Sequence, residues 1–458
     1  MLKTHADICF YHLFSATNPV NNSFARNQRI TSKEIIGRYF MSDSTNCNVF
    51  LFTHATLING VSDTPLENYQ LLVENGKICQ ISAMPIDAPH ARVIDLGGKT
   101  LMPGLIDCHV HVIACTANLG LNALLPDSLV TARAGKIMRD MLMRGFTTVR
   151  DVGGADFGLK QAQQERLITG PSLIICGKAL SQTGGHTDYR GRYDKRSAGF
   201  YANKLGSLGR VCNGVDEVRS AVREEIKAGA EFIKIMANGG VSSPSDPIEF
   251  LSFSVSEIEA IVEEASNAQT YVSAHLYTDE AIRRAVLAGV RSLEHCNLIT
   301  SETAQLAAER GAIACPTLVT YEILKLEGAR YGLQLDSVAK IDDVRLSGLE
   351  SLKVMQDAGL PMAFGTDLLG DMHVHQSEEF SIRHRVLSPS DIIRSATSVA
   401  ARLLRLEGKI GCLDIDAEAD LIVVDGNPLT DINLLCEQGK HIPFILQKGN
   451  VVKNHNIL

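Results

Sequence analysis

The chain has 458 residues, of which 45% are hydrophobic, and its formal net charge is -8. This length exceeds one average domain and suits a large α/β barrel with a smaller appended domain. The negative charge, the absence of Trp and an aromatic content of 5% argue against a nucleic-acid partner, which needs basic or stacking surfaces. The 11 cysteines lie singly, without a Cys-x-x-Cys pair, which is typical of reduced thiols in a cytoplasmic protein.

The first part of the chain differs from the rest. Residues 1–47 mix polar and aromatic residues without a sustained period, so we expect a poorly ordered or non-catalytic N-terminal extension. The apolar cluster from Ile8 to Phe14 is too short for the core of a signal peptide. No apolar run approaches the length of a membrane span, and we therefore expect a cytoplasmic protein with no membrane partner.

Both ends of the remaining chain are rich in short strand-like runs. In residues 48–103 the dipeptide Asn75-Gly76 marks a hairpin turn between two such runs. In residues 411–458 the segment Ala419–Asp425 is a β-branched apolar run. We therefore predict one small β-sandwich domain built from both chain ends.

Residues 104–410 alternate between strand and helix patterns. Charged stretches of helical period, such as Val215 to Gly229 and Asp279 to Gly289, close with glycine just before the next apolar run. The strand-like runs end near His111, Asp151, Ser181, Asn238, His275, His295, Thr317 and Asp367. Eight such strands alternating with helices predict an α/β fold, a (β/α)8 TIM-like barrel, whose chemistry lies at the carboxyl ends of the strands.

Six residues with metal-binding or proton-transfer chemistry fall at those strand ends. His109 and His111 end one strand, and the alternation of a strand points both imidazoles to the same side. The other four, at the ends of later runs, are Lys234, His275, His295 and Asp367. Taken singly, a histidine or lysine at such a position is more often structural or at the surface. Together they suit a pocket that holds divalent metal and hydrolyses a bond.

Five motifs carry a resemblance to a known family. In chain order, Pro-Gly-Leu-Ile-Asp-Cys-His-Val-His, Phe-Ile-Lys-Ile, Ser-Ala-His, Leu-Glu-His and Phe-Gly-Thr-Asp resemble the metal-dependent amidohydrolase superfamily. The similarity covers residues 49–458. Residues 180–188, Leu-Ser-Gln-Thr-Gly-Gly-His-Thr-Asp, and residues 234–241 are further similar to the zinc-dependent prolidase-like dipeptidases and the ochratoxinase group.

The resemblance implies two divalent metal ions, with zinc as the expected metal. The implied ligands are His109, His111, Lys234, His275, His295 and Asp367. The first two histidines and Asp367 would hold the more buried ion, and the later two histidines the second. Lys234 would bridge them after carbon dioxide converts its amine to a carbamate, which burial favours by lowering the lysine pKa. A metal-bridging hydroxide would then attack an amide carbonyl, with Asp367 as general base and general acid.

Five residues are candidates for contacts with the substrate. His186, in the Gly-Gly-His loop after the third strand, could hydrogen-bond the substrate carbonyl or carboxylate and assist catalysis; it could equally stabilise its own turn. Gly239 would let the backbone approach the ligand, or simply form a tight turn. Arg190, Arg192 and Tyr321 are candidates for gripping a terminal carboxylate, although an arginine in a loop is usually just solvated.

Three functions remain open from the sequence. The leading one is hydrolysis of a dipeptide or N-acyl amino acid, a small-molecule substrate, by a protein expected to be a homo-oligomer. The second is hydrolysis of a cyclic amide, carbamate or urea by an imidazolonepropionase-like or xenobiotic-degrading enzyme. The third is a catalytically inactive barrel that serves as an interaction scaffold. His373 and His375 mimic a ligand pair, but we expect them at the surface or substrate rim, because they lie in a loop-like stretch ahead of a helix.

Overall fold

The computed structural model describes residues 49–241, 246–328, 330 and 335–457, with the backbone alone at residues 335–340 and 343. The chain divides into two compact units, Met1–Asn46 and Cys47–Leu458. The extension that we predict over residues 1–47 lies outside the described residues.

The strands and helices alternate through the middle of this unit. The strands are β1 (Phe50–Leu57), β2 (Leu66–Glu74), β3 (Lys77–Ser82), β4 (Arg92–Asp95), β5 (Thr100–Pro103), β6 (Leu105–Val110), β7 (Phe146–Asp151), β8 (Ser172–Ile175), β9 (Ala179–Ser181), β10 (Gly209–Val211), β11 (Ile233–Met236), β12 (Val272–Thr278), β13 (Ser292–Leu298), β14 (Ile313–Cys315), β15 (Leu421–Val424), β16 (Phe444–Gln447) and β17 (Asn450–Asn454). The α-helices are α1 (Leu119–Asn122), α2 (Asp127–Met143), α3 (Phe157–Gln164), α4 (Gly199–Ala202), α5 (Gly214–Lys227), α6 (Val255–Asn267), α7 (Asp279–Leu287), α8 (Ser301–Glu309), α9 (Val319–Glu327), α10 (Leu335–Asp357), α11 (Glu378–Arg383), α12 (Pro389–Ser395) and α13 (Ser398–Leu403). Short 3-10 helices cover Gly370–His375, Ile432–Leu435 and Glu437–Gly439.

One sheet joins strands from both ends of the described chain. Its order is β17-β16-β15-β5-β1-β2-β3, with β4 beside β1. Strand β15 pairs antiparallel with β5, so that Leu421 lies opposite Pro103. Buried apolar side chains from both ends share one core, in which the rings of Phe52 and Phe444 pack edge to face with centroids 5.9 Å apart. The predicted β-sandwich domain built from both chain ends is confirmed.

Parallel strands build the barrel. Strands β6, β7 and β8 form one sheet, and β10-β9-β11-β12-β13-β14 form another. Strands β6 and β7 are buried at every residue, as parallel strands covered by helices must be. Such strands need continuous apolar runs, which is why the sequence pattern locates them.

The barrel closes through a segment that is not a regular strand. The Ala363 N–H donates to the Ala314 carbonyl at 2.8 Å, on the β14 side, and the Cys108 N–H donates to the Phe364 carbonyl at 2.7 Å, on the β6 side. This segment occupies the eighth position and ends at Asp367. The fold is therefore the predicted (β/α)8 barrel with a β-sandwich domain. The domain boundaries after residues 103 and 410 stay predictions.

No helix within the described residues has the length and apolar character to cross a membrane.

Candidate metal centre

The first and last barrel positions bring three predicted ligands together. His109 and His111 are 1% and 5% exposed, and their Nε2 atoms lie 3.4 and 3.2 Å from Asp367 Oδ1. Asp367 has a φ of 53°, and its N–H donates to the His109 carbonyl at 2.8 Å, which turns its side chain over β6. One donor atom from each residue lies within 4.8 Å of the others. Two imidazoles and a carboxylate are a ligand set that suits zinc and related divalent ions.

Hydrogen bonds at the far ring nitrogens direct both imidazoles. His109 Nδ1 lies 2.8 Å from Glu294 Oε2, and since a carboxylate only accepts, Nδ1 carries the proton. His111 Nδ1 donates to the Gly153 carbonyl at 3.3 Å. In this tautomer each Nε2 keeps a lone pair that faces Asp367. The donor chemistry therefore fits a metal ion.

The second pair of predicted ligands lies across the cavity. His275 Nδ1 and His295 Nε2 face each other at 2.9 Å. The other ring nitrogens bond to the protein, His275 Nε2 to the Gly239 carbonyl at 3.2 Å and His295 Nδ1 to Thr317 Oγ1 at 2.8 Å. Burial, with a contribution from neighbouring histidines, holds the pKa of both imidazoles well below its ordinary value. If His275 Nε2 and His295 Nδ1 carry the ring protons, the lone pairs of the two facing nitrogens are suited to a shared cation.

Lys234 completes the set of six. It is 1% exposed and lines the same cavity as the four histidines and Asp367. Burial lowers the pKa of its ammonium, although the nearby Glu294 carboxylate partly opposes this. In the part of the chain that the structure describes, no hydrogen bond or ion pair holds its Nζ. A buried amine without partners can lose its proton and react with carbon dioxide.

Sequence reasoning missed Glu294, which supports the centre from below. Its side chain is fully buried and accepts from Arg150 Nη2 at 2.8 Å and from Ser273 Oγ at 2.7 Å, besides its bond to His109. Burial raises the pKa of the Glu294 carboxyl, but the Arg150 guanidinium outweighs this and the pKa lies well below its ordinary value. Glu294 thus remains anionic beside His109. The sequence could have indicated this role, because Glu294 is a charged residue inside the predicted buried strand Ser-Leu-Glu-His and a buried carboxylate needs a partner.

Sequence reasoning also missed Tyr277. Its ring stacks on His295 with centroids 5.2 Å apart, and its hydroxyl accepts from Tyr321 Oη at 2.9 Å. Tyr277 lies two residues after His275 on β12, so the alternation of a strand could have placed both on one side. The remaining cavity walls are largely apolar: Leu119, Leu208, Met236, Leu324 and Leu369, with Thr187 and Thr320.

Two of the predicted substrate contacts lie at the cavity and a third lies directly behind it. His186 lines the cavity and stacks on His275, with ring centroids 4.6 Å apart and 18° between planes. Gly240 lies under this ring, since a Cβ there would be 2.0 Å from His186 atoms. Tyr321 also lines the cavity, whereas Gly239 contributes its carbonyl to His275.

The two predicted arginines are not brought to the cavity. Arg190 donates from Nε and Nη2 to the Asp188 carboxylate, at 2.8 Å each, and Arg192 is exposed. Neither lines the cavity, and their contacts with substrate stay predictions. His373 is buried, with 6% exposure, and bonds to the Ala114 carbonyl at 3.3 Å, so the expected position at the surface or substrate rim is wrong for this residue. His375 is half-buried and bonds to Glu378 at 2.6 Å.

The Glu294 network gives a testable expectation. We expect Glu294→Gln to weaken metal binding by about 10–100-fold, because the orienting charge on His109 is lost. The variant should also unfold at a lower temperature, because Arg150 is left as a buried, unpaired cation. Metal affinity is measured by competition with a chelator. Glu309→Gln, an exposed change in α8, is the matched control, and equal affinity in both variants would contradict the role given to Glu294.

Comparison with known proteins agrees with the motifs. The amidohydrolase family model matches residues 100–453. The solved structure of an amidohydrolase is 51% identical, covers 89% of this chain and 100% of its own, and has a TM-score of 0.87. A prolidase solved in complex with N-methylphosphonate-L-proline is 47% identical, with the same coverage and a TM-score of 0.87.

A fungal relative extends the similarity to nearly the whole chain. The ochratoxinase of Aspergillus niger is 29% identical over 97% of this chain and 95% of its own length. Its crystal structure has a TM-score of 0.78. The family resemblance predicted from the five motifs is confirmed. The chain belongs to the metal-dependent amidohydrolase family, a family of hydrolases acting on carbon–nitrogen bonds, and within it is similar to prolidases and the ochratoxinase.

Proposed function

We propose that the protein is a binuclear metal-dependent hydrolase that cleaves the amide bond of a dipeptide or an N-acyl amino acid. The observation that supports this most directly is the set of four histidines, Lys234 and Asp367 around one buried cavity. The relative solved with a phosphonate derivative of proline is a prolidase and supports a substrate of this size. A scaffold without catalysis would have no need to keep all six groups.

The proposed ligand arrangement follows the facing lone pairs. His109, His111 and Asp367 would hold one divalent ion, and His275 and His295 the other, with a carbamate on Lys234 between them. Imidazole and oxygen donors fit zinc, our proposed metal. Two divalent ions in such a site supply a water acidified to hydroxide near neutral pH and Lewis-acid polarisation of a carbonyl.

Asp367 is placed to move the proton. Burial raises the pKa of its carboxyl, but positive charge on His109 and hydrogen bonds from His109 and His111 outweigh this and hold the pKa well below its usual range; with neutral ligand imidazoles, bound metal ions would supply that positive charge instead. Its side chain retains 21% exposure, more than His109, His111 or His295. The carboxylate would accept the proton of the attacking water and then deliver it to the leaving nitrogen, as general base and general acid.

The cavity walls set the substrate's orientation in this proposal. His186, beside His275, would donate to the substrate carbonyl or carboxylate. The Tyr321 hydroxyl is hydrogen-bonded to Tyr277 and to His295, so Tyr321 forms part of the cavity wall and does not offer a free donor to the substrate. Arg190 could bind a carboxylate only by sharing its donors with Asp188. The apolar walls favour an apolar side chain on the substrate.

The substrate class is tested by amino-acid release. We expect the zinc-loaded protein, prepared with bicarbonate, to release free amino acid from some members of a panel of dipeptides and N-acyl amino acids. The panel includes dipeptides with C-terminal proline because of the prolidase relative. If metal is bound and no member is cleaved, while a carbamate, urea or lactam is, the dipeptide proposal is wrong. If no metal is bound, the scaffold alternative replaces it.

The proton-transfer role is tested at Asp367. We expect Asp367→Asn to retain much of the metal and to lower kcat by about 10²–10⁴-fold, because the amide cannot take the proton. Asp371→Asn, an exposed change in the same segment, should leave kcat unchanged. Metal content and steady-state rates are measured on both variants. Near-full activity of the Asp367→Asn variant would refute the general-base assignment.

The carbamate is tested by carbon-13 NMR after preparation with labelled bicarbonate. We expect a carbamate resonance in the wild type that is absent from Lys234→Gln. Lys178→Gln is the matched control, since Lys178 is also buried and burial lowers its pKa to about 8. A resonance that persists in Lys234→Gln would assign the carbamate to another lysine.

A further inference from the structure

A buried carboxylate behind the metal-centre cavity lacks a hydrogen-bond partner. Asp246, ahead of α6, is 2% exposed, and neither of its side-chain oxygens accepts a hydrogen bond among the described residues. Within the same part of the chain its one ion-pair contact is with His186, whose Nδ1 lies 3.4 Å from Asp246 Oδ2. A buried carboxylate is costly unless another group pairs with it. The contact with His186 is therefore the candidate for that pairing.

The His186 ring has an unpaired nitrogen on the side of Asp246. Its Nδ1 is buried, and it too has no hydrogen-bond partner in the described residues. The separation of 3.4 Å exceeds the about 2.9 Å that is typical of an N–H···O bond. An approach of a few tenths of an ångström would complete the bond, and it would satisfy both buried groups at once.

The other side of this ring faces the metal-centre cavity. His186 lines the cavity, and its side chain is 14% exposed. Its ring stacks on His275, a predicted metal ligand. Since Nδ1 is buried, the accessible edge of the ring is the one that carries Nε2. Nε2 is thus the ring nitrogen that a substrate in the cavity would meet.

The turn after β11 brings Asp246 to this position. The Gly240 N–H donates to the Asp246 carbonyl at 3.1 Å. A Cβ at Gly239 would lie 1.9 Å from the Pro247 carbonyl oxygen, and a Cβ at Gly240 would lie 2.0 Å from His186 Nδ1. Because glycine has no Cβ, the returning chain and the imidazole can approach this closely.

Asn238 ties the same segment to strand β12. Its Nδ2 donates to the Ile248 carbonyl at 2.7 Å, and its Oδ1 accepts from the Tyr277 N–H at 2.8 Å. Asn238 is itself fully buried, so both bonds are shielded from water. The backbone around Asp246 is thus fixed by the protein, and its carboxylate does not depend on a ligand for its place.

We propose that Asp246 is a positioning residue for His186: its carboxylate accepts the Nδ1 proton and so directs Nε2 to the substrate. A carboxylate only accepts, so this contact requires the proton on Nδ1. For Nε2 to donate to a substrate oxygen as well, the ring must hold both protons, and the negative charge of Asp246 stabilises that form. The inference rests on the proposed function, in which His186 contacts the substrate.

The pairing is tested without substrate, by long-range proton–nitrogen correlation NMR of the full-length, zinc-loaded protein. The His186 signals are identified by their absence from His186→Gln. We expect a protonated Nδ1 in the wild type and in Glu249→Gln, an exposed change in the same segment with the same loss of charge. In Asp246→Asn the ring-nitrogen shifts should change. An unprotonated Nδ1 in the wild type overturns the proposal even if Asp246→Asn fails to fold, and so do identical His186 signals in wild type and Asp246→Asn.

The effect on turnover is tested by a double-mutant cycle on a substrate that the wild type cleaves. We expect Asp246→Asn to lower kcat/KM about tenfold, through the same parameter that His186→Gln changes, because a charge-assisted hydrogen bond is lost. In the His186→Gln background the same replacement should change kcat/KM less than about twofold, since no ring remains to be positioned. Equal losses in both backgrounds would overturn the proposal. If no substrate is cleaved, the proposed function is wrong, and the NMR measurement still decides the pairing.

Discussion

Closure of the barrel between its first and eighth positions is the constraint on which the candidate centre depends. The Asp367 N–H donates to the His109 carbonyl, so residues from opposite ends of the barrel sequence become neighbours. Asp107 reinforces this contact, because its carboxylate accepts from Thr366 Oγ1 at 2.7 Å and from the His109 N–H at 3.1 Å. A loss of register at this seam would move the carboxylate away from the imidazoles, whatever happened in the rest of the barrel.

The charged residues behind the histidines form a second layer of the candidate centre. Below the histidines, Glu294 and Arg150 form a fully buried ion pair, and Arg150 also donates from Nε to the Cys108 carbonyl at 2.6 Å. The pair adds almost no net charge, yet it supplies His109 with a fixed anionic acceptor. Such a pair costs desolvation and is weak evidence for stability. Its value in this position is orientation, since a ligand imidazole must keep one tautomer to present its lone pair.

The sequence predicted the fold and the six clustered residues because both depend on local patterns. Buried parallel strands require apolar runs, and the metal-binding and proton-transfer residues come directly after such runs. The apolar run before Asp367 therefore indicated the eighth barrel segment, although that segment is not a regular strand. Glu294 was missed because it adjoins His295, and simple alternation would send neighbours to opposite sides; the φ of 67° at His295 departs from a regular strand. Arg190 was one candidate for binding a substrate carboxylate, but the fold of its loop pairs it with Asp188, and a sequence pattern does not contain that pairing.

Two buried lysines of the same barrel show what separates a reactive amine from a structural one. Burial lowers the pKa of both Lys178 and Lys234. Lys178 Nζ donates to the carbonyls of Lys204 and Ser207 at 2.8 and 2.6 Å. These hydrogen bonds stabilise the charged ammonium more than they would stabilise the neutral amine. Lys234 has no such acceptor among the described residues and lines the same cavity as five histidines. Burial alone therefore does not single out a lysine for carbamate chemistry; the absence of acceptors beside a site for divalent cations does.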